Sequence, residues 1–189
     1  LGALAFGCAF LLLGSYVKRT RPGWPDTLAP YVFGRGVGLA RVFTISGYAR
    51  WVGVVLAASL GLALAAGASF VPVVVVASVQ AASQIAVSMV KLAYRRARPE
   101  DWRFKREMGL SYPSGHATTA VVVYGMLLWL AYHDVAPAPL RYASVCALAL
   151  WSAGICWSRI ALGAHYPTDV LGGALFGAAF ALGGIALLH

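Results

Sequence analysis

The sequence predicts an all-α integral membrane protein with six transmembrane helices in one bundle, and three observations predict it. Of its 189 residues 60% are hydrophobic and 11% charged, against about 25% charged in a soluble domain, and the mean hydropathy is +0.75. The apolar residues gather into six runs near the length that a bilayer crossing requires, about 20 residues. No run holds a carboxylate in its interior: Asp26, Glu100, Asp101, Glu107, Asp134 and Asp169 all lie in connections or at a helix end. That placement argues against a proton-coupled transporter, which uses ionisable groups at membrane depth. The chain reads as one six-span domain over 1–189, with 18–47 an interfacial connection and 70–189 the core.

The first run, 1–17, has no basic leader and no small-residue cleavage site, so it is read as a span rather than a signal peptide. Because the sequence opens at Leu1, a few native residues are expected to precede it. Residues 18–47 mix Trp24, Tyr31, Phe33 and Phe43 with scattered arginines, a composition suited to the membrane interface. A short amphipathic helix and an irregular loop both fit there, since Gly34, Gly36 and Gly38 weaken any helix. The second run is 48–67 and the third 70–90, where Pro72 sits one turn in and its missing donor costs little. The fourth, fifth and sixth are 116–132, 140–157 and 169–188. Small residues recur every four positions, as Gly53, Ala57 and Gly61 in the second run and Gly173 and Gly177 in the sixth. Such spacing lets helix backbones approach closely, and packing within the chain is the expected use. Cys8, Cys146 and Cys156 fall in apolar runs at no metal-ligand spacing, and are read as small buried hydrophobes rather than disulfide or zinc partners.

Fifteen Lys and Arg against six Asp and Glu give a formal charge of +9. In a soluble protein that balance would suggest nucleic acid; in a membrane protein it serves topology and anionic head groups. The expected partners are therefore the lipid bilayer and a phosphate-bearing membrane lipid, with no nucleic acid. Six spans place 18–47, 91–115 and 158–168 on one face, and with them every Lys and Arg except Arg141. The positive-inside rule alone would put that face in the cytoplasm. His133 and His189 fall on the opposite face and are read as interfacial or terminal residues without a role.

Three polar clusters sit on the charged face, each at the end of a span. In the first, Lys91, Arg95 and Arg98 are spaced to share one face of a continuing helix, and Pro99 then turns the chain back. Taken alone these are ordinary snorkelling anchors. In the second, Ser114, Gly115 and His116 open the fourth span, where free backbone N–H groups, a hydroxyl and the helix dipole can meet an anion. Taken alone Ser114 is an N-cap. In the third, Arg159 precedes His165 and Asp169, with Pro167 in the first turn of the sixth span. A carboxylate four residues on can accept the imidazole N–H and raise the basicity of the other nitrogen, which could then attack phosphorus. A structural His–Asp hydrogen bond is the plainer explanation of that pair. Together, however, three cations, a helix N-terminus, two histidines and a carboxylate outline a phosphoryl-transfer active site at one membrane face.

Lys91-x6-Arg98-Pro99, Pro113-Ser114-Gly115-His116 and Ser158-Arg159-x5-His165-x3-Asp169 resemble the three signature motifs of the type 2 phosphatidic acid phosphatase superfamily. That superfamily also includes vanadium haloperoxidases and soluble acid phosphatases. The motifs are complete and in the family's order, and the resemblance covers 70–189. It implies that His165 is the nucleophile of a phosphohistidine mechanism and that Asp169 orients it. It further implies that Lys91, Arg98 and Arg159, with Ser114 and the Gly115 N–H, hold the phosphate, and that His116 protonates the leaving oxygen and then activates water. No metal or other cofactor is required, because fixed cations supply the electrostatic stabilisation.

Apolar spans around the site favour a lipid-borne phosphate, with a polyprenyl diphosphate such as the undecaprenyl carrier and phosphatidylglycerol phosphate ranked together ahead of phosphatidic acid. A lipid phosphotransferase would carry the same motifs, a vanadate-dependent peroxidase a similar pocket, and a non-catalytic anionic-lipid carrier a similar charge pattern. The resemblance suggests a bacterial plasma-membrane enzyme with its site on the outer face, against the charge bias. Arg95 and Arg96, outside the motif positions, are expected to matter far less than Lys91 or Arg98.

Overall fold

The computed structural model describes residues 1–19, 23, 25–100, 103, 104, 107–135 and 137–188, and of Pro30 and Tyr31 the backbone alone. Arg21, Trp24, Asp101, Lys105, Arg106, His189 and the Tyr31 side chain, which figured in the expectations above, lie outside the described residues.

Every described element is helical. Helix α1 spans Gly2–Arg19; a 3-10 turn at Asp26–Leu28 leads into α2, Ala29–Val32. Helix α3, Val37–Ile45, starts only after Gly36, whose φ of 61° a side chain would strain. Helix α4 spans Ala49–Ala65 and α5 Val71–Tyr94. Helix α6, Gly115–Thr119, continues through a π-helical turn at Ala120–Tyr124 into α7, Gly125–Asp134. Helices α8 and α9 span Ala138–Ala161 and Pro167–Ile185. Both predicted prolines sit where a missing N–H is harmless, Pro72 and Pro167 in the first turns of α5 and α9.

Among the described residues four helices are long and apolar enough to cross a membrane: α5, the composite Gly115–Asp134, α8 and α9. Helices α3 and α4 meet at a 60° bend and make a fifth candidate if counted as one span. The first predicted run forms α1, whose last turn holds Lys18 and Arg19 and which is not among these candidates. Leu11, Leu12, Leu62, Ile85, Met89 and Leu150 are all exposed on the outer faces. Such a surface is untenable in water and suited to lipid. The same outward faces correct the cysteine expectation: Cys8 and Cys146 are exposed and Cys156 is partly buried. The apolar neighbourhood of Cys8 and Cys146 is the helix exterior, whereas Cys156 packs against the core around Val122 and Ile155.

The Gly115–Asp134 helix forms the centre. Val122, Val123 and Tyr124 are all buried, joining Val76, Met126, Ile155 and Ala181 in one core cluster. Three consecutive buried residues need neighbours on every side, which α5, α8 and α9 supply. A π-turn adds a residue to the helical repeat and reorients the side chains around it. Gly173 and Gly177 bring α9 onto this helix: a Cβ there would lie 2.4 Å from the Ser114 carbonyl oxygen and 2.9 Å from that of Thr118. The expected in-chain packing therefore holds for the sixth run. It fails for the second, where a Cβ at Gly53 or Gly61 would meet nothing within 4 Å.

The described part of the 18–47 connection packs against α8. Ala40 is buried with Ala161 and Leu162, and the Phe43 ring covers Gly154 of α8. Helix α1 is anchored by Phe10, which stacks on Tyr112 at 5.7 Å and meets Phe176 of α9 at 4.7 Å.

Candidate active site

The motif residues meet where the C-termini of α5 and α8 and the N-termini of α6 and α9 come together. Lys91, in the last turn of α5, donates to the carbonyls of Leu110 at 2.5 Å and Ser111 at 3.3 Å. The helix does not continue as the spacing predicted. It stops at Tyr94, and Arg95 adopts a left-handed φ of 49°. Lys91, Arg95 and Arg98 thus do not share a helix face. Arg95 turns outward, exposed, with its Nε near the Leu92 carbonyl. Arg98 reaches the site from an extended stretch. Its Nη1 donates to the Ala164 carbonyl at 2.9 Å and to His165 Nε2 at 3.0 Å, and its Nε to the Gly109 carbonyl at 3.1 Å.

Ser114 caps α6 from an extended backbone, its Oγ accepting from Ala117 N at 3.5 Å. Its own N–H donates to the Asp169 carbonyl at 2.9 Å, locking the starts of α6 and α9 together. Gly115 packs against Gln84 of α5, where a Cβ would come within 3.2 Å of the side-chain oxygen. His116 lies in the first helical turn within electrostatic reach of His165, Arg98 and Arg159, and its Nε2 is buried without a hydrogen-bond partner.

Helix α8 runs one turn past its predicted end and carries Arg159, which is 1% exposed. Its Nη1 donates to the Thr44 hydroxyl and its Nη2 to Glu107 Oε1 at 3.0 Å, while Nε has no partner. Burial alone would raise the Glu107 pKa, but Arg159 and the Tyr48 hydroxyl outweigh it and hold the carboxyl below its usual value.

His165 and Asp169 are buried side by side, yet Nδ1 and Oδ2 stand 3.6 Å apart, beyond a hydrogen bond. The direct contact expected from their spacing is replaced by a bridge. The Ser111 hydroxyl donates to Asp169 Oδ2 at 2.5 Å and lies 3.3 Å from His165 Nδ1. Asp169 also accepts from the Tyr166 N–H at 2.8 Å, because it occupies the third position of α9, and from Arg96 Nη1 at 2.6 Å. Guanidinium can only donate, so the His165 Nε2 facing Arg98 is the unprotonated nitrogen. Burial, with Arg98, Arg159 and Lys91 nearby, pushes the His165 pKa well below the ordinary histidine value. The imidazole is therefore neutral at pH 7, with its lone pair on Nε2.

Several residues outside the motifs belong to this cluster. Arg96 points the opposite way from Arg95 and bridges two buried carboxylates, Asp169 and Asp26, the latter at 2.5 Å. Asp26 in turn accepts from the Thr168 N–H at 2.9 Å and from its hydroxyl. Burial opposes the charge on Arg96, but Asp169 and Asp26 outweigh it and raise the pKa. Arg95 and Arg96 are thus not equivalent: the expectation of minor importance suits the first and is revised for the second. His133 is bonded to the Trp129 carbonyl at 2.8 Å in α7, apart from the cluster.

Fold and cluster together define a multi-pass helical membrane protein whose helix ends enclose fixed cations around a neutral histidine. Residues 72–189 match the PAP2 superfamily, and the chain belongs to it. A lipid A 1-phosphatase of Rhizobium johnstonii is 31% identical over 110 residues, covering 53% of this chain and 41% of that protein. A second, of Rhizobium etli, is 30% identical over 110 residues, with 53% and 43% covered. The aligned part thus takes in less than half of either relative. A transmembrane PAP2 type phosphatidylglycerolphosphate phosphatase from Bacillus subtilis, known from its crystal structure, has the same fold: TM-score 0.86, 18% identity, covering 98% of this chain and 95% of that one.

Proposed function

We propose that this protein is a membrane-lipid phosphatase that transfers a phosphoryl group from a lipid to His165 and then to water. The observation that carries the reading is the buried, neutral His165, its unprotonated Nε2 turned toward Arg98 with Lys91 and Arg159 close by. In the first step Nε2 forms the P–N bond, the lipid P–O bond breaks, and His116, entering the step as an imidazolium, gives its Nε2 proton to the departing oxygen. In the second, His116 takes a proton from water as its oxygen attacks phosphorus, releasing phosphate and restoring His165. Asp169, through Ser111, holds the imidazole in orientation. Lys91, Arg98, Arg159, Ser114 and the Gly115 N–H would cradle the phosphate oxygens and the charge that grows in the transition state. These fixed cations make the scheme complete without a metal ion. With Nη1 on Thr44 and Nη2 on Glu107, the buried Arg159 Nε is the donor left for a phosphate oxygen.

Two apolar clefts support a lipid tail. One, about 350 Å³, is lined by Ser46, Val55, Tyr124, Leu148 and Trp151; it shares Val55 and Leu148 with another of about 600 Å³ between α4, α5, α7 and α8. Lipid A 1-phosphate, phosphatidylglycerol phosphate, phosphatidic acid and undecaprenyl diphosphate are the candidate substrates. We read α1 and the bent α3–α4 pair as spans, six in all, with the site at the outer face of a bacterial plasma membrane. Labelling a cysteine placed at Arg103 in intact cells tests that side.

The functional test is phosphate release from those four lipids in detergent micelles by the wild-type protein and His165→Ala. Release that vanishes with His165→Ala, together with an acid-labile phosphoenzyme on wild type, is expected. Activity of His165→Ala within about tenfold of wild type, ~1.4 kcal/mol in the barrier, refutes the nucleophile; transport of lipid without release refutes the phosphatase.

A further inference from the structure

The bend between α3 and α4 lies upstream of the matched residues 72–189, yet it forms a wall of the active site. Gly47 is buried there, against the imidazole of His116. A Cβ at 47 would stand 2.4 Å from His116 Cδ2, 3.1 Å from Cγ and 3.3 Å from Nε2, so a glycine is required for the ring to occupy its place. The ring has little room to retreat. The Tyr48 ring meets it edge-on at 4.7 Å, and the Thr44 backbone hydrogen-bonds it. Since Nε2 has no partner, that bond is made by Nδ1. A carbonyl on Nδ1 fixes the tautomer and leaves Nε2 as the nitrogen available for exchange with a reacting group.

The bend itself is pinned from outside. The Tyr124 hydroxyl donates to the Ser46 carbonyl at 3.0 Å and the Trp151 indole N–H to the Ser46 hydroxyl at 2.8 Å. The Thr44 side chain meanwhile accepts from Arg159, and Tyr48 donates to Glu107, the carboxylate on the same arginine. Thr44, Gly47 and Tyr48 thus converge on His116 and Arg159 from a segment that carries no motif.

We propose that Gly47, with Thr44, is a positioning residue for His116, setting Nε2 where the leaving oxygen of the lipid phosphate departs. This rests on the general-acid role of His116 proposed above, and the test separates the two ideas. General acid help matters for an alkoxide leaving group and little for a phenolate that departs unaided, so phosphatidic acid and p-nitrophenyl phosphate are compared.

Gly47→Ala is expected to lower kcat/KM for phosphatidic acid by at least about tenfold, within the ~10²–10⁴ range of general acid catalysis, and to change kcat/KM for p-nitrophenyl phosphate by less than about threefold; kcat/KM reads the step in which the leaving group departs, so the water activation common to both substrates does not enter. In a His116→Ala background, where the clash is gone, Gly47→Ala should add nothing further. Gly38→Ala, whose Cβ would meet nothing within 4 Å, controls for glycine replacement in the same segment. Equal loss on both substrates, or a loss that persists undiminished in the His116→Ala background, overturns the positioning role. If His116→Ala itself lowers both substrates equally, the general-acid reading falls and the positioning role with it. Wild-type protein inactive on both esters overturns both.

Discussion

Removing the Arg96 guanidinium is the sharpest probe of how this site is held. Arg96 contacts Asp26 at 2.5 Å and Asp169 at 2.6 Å, and the side-chain exposures are 11%, 2% and 0%. In Arg96→Ala both carboxylates keep only neutral donors: Thr168 for Asp26, and Ser111 and the Tyr166 N–H for Asp169. Two negative charges then share a dry pocket with their common counter-ion gone. Breaking a buried pair by removing one partner costs about 3–5 kcal/mol, which here falls on the junction between the N-terminal segment and α9. Because Asp169 reaches His165 through Ser111, any shift of that carboxylate misplaces the nucleophile, and we expect kcat/KM to fall at least ~10²-fold, about 2.7 kcal/mol. Arg95→Ala, exposed one residue away, should stay within ~0.5 kcal/mol in stability. Arg96→Lys should recover only part of the loss, since an ammonium cannot fork between two carboxylates as a guanidinium does. The assays are phosphate release over a range of lipid concentrations and thermal unfolding in detergent. Arg96→Ala within about threefold of Arg95→Ala in kcat/KM would refute the argument.

Three further outcomes follow from the geometry. Ser111→Ala, which leaves His165 and Asp169 3.6 Å apart without the hydroxyl between them, should lower kcat more than KM and destabilise by about 1.5–3 kcal/mol for the lost hydrogen bond to a carboxylate; kinetics equal to wild type would discard the bridge. Gly173→Ala forces a Cβ toward the Ser114 carbonyl and should lose about 1–3 kcal/mol by overpacking, whereas Gly53→Ala, in open space, should lose none; detergent melting curves compare them. His165 has a folded pKa well below its ordinary value, so the unfolded chain takes up the proton first as pH falls. Its contribution is full above about 6.5 and is lost below it, by up to ~1.4 kcal/mol per pH unit. Melting between pH 8 and 5 should therefore be less steep in His165→Ala, and identical slopes would contradict the burial argument.

The motif residues were legible because phosphate chemistry fixes both residue types and spacings. His165, His116, Asp169, Lys91, Arg98, Arg159, Ser114 and Gly115 do come together at helix ends, as do the apolar runs that carry them. The rest depended on backbone geometry that single residues do not announce. A non-glycine residue at positive φ, Arg95, decides that Arg96 turns inward and Arg95 outward, and helical spacing predicts the reverse sharing. Ser111 stands three residues before a motif serine, and nothing in its neighbours marks it as the link between His165 and Asp169. Asp26, 142 residues from Thr168, had no signal beyond being a lone carboxylate in a basic segment. Gly47 was one glycine among many, since only the finished packing shows a ring against it. The π-turn at Ala120–Tyr124 contains neither proline nor glycine.

The Asp26, Arg96 and Thr168 clamp also bears on how the protein is made. Asp26 is synthesised 142 residues before Thr168, so the carboxylate waits through the synthesis of the intervening helices before that partner exists. Of the two residues that hold Asp26 in the finished clamp, Arg96 at the end of α5 is made first. Helix α9 then brings Thr168 to Asp26 and Asp169 to Arg96 from adjacent positions. The clamp beside the candidate site accordingly closes only when the segment around Asp26 has met α9, and a 70–189 fragment, though it carries every motif, would lack that carboxylate.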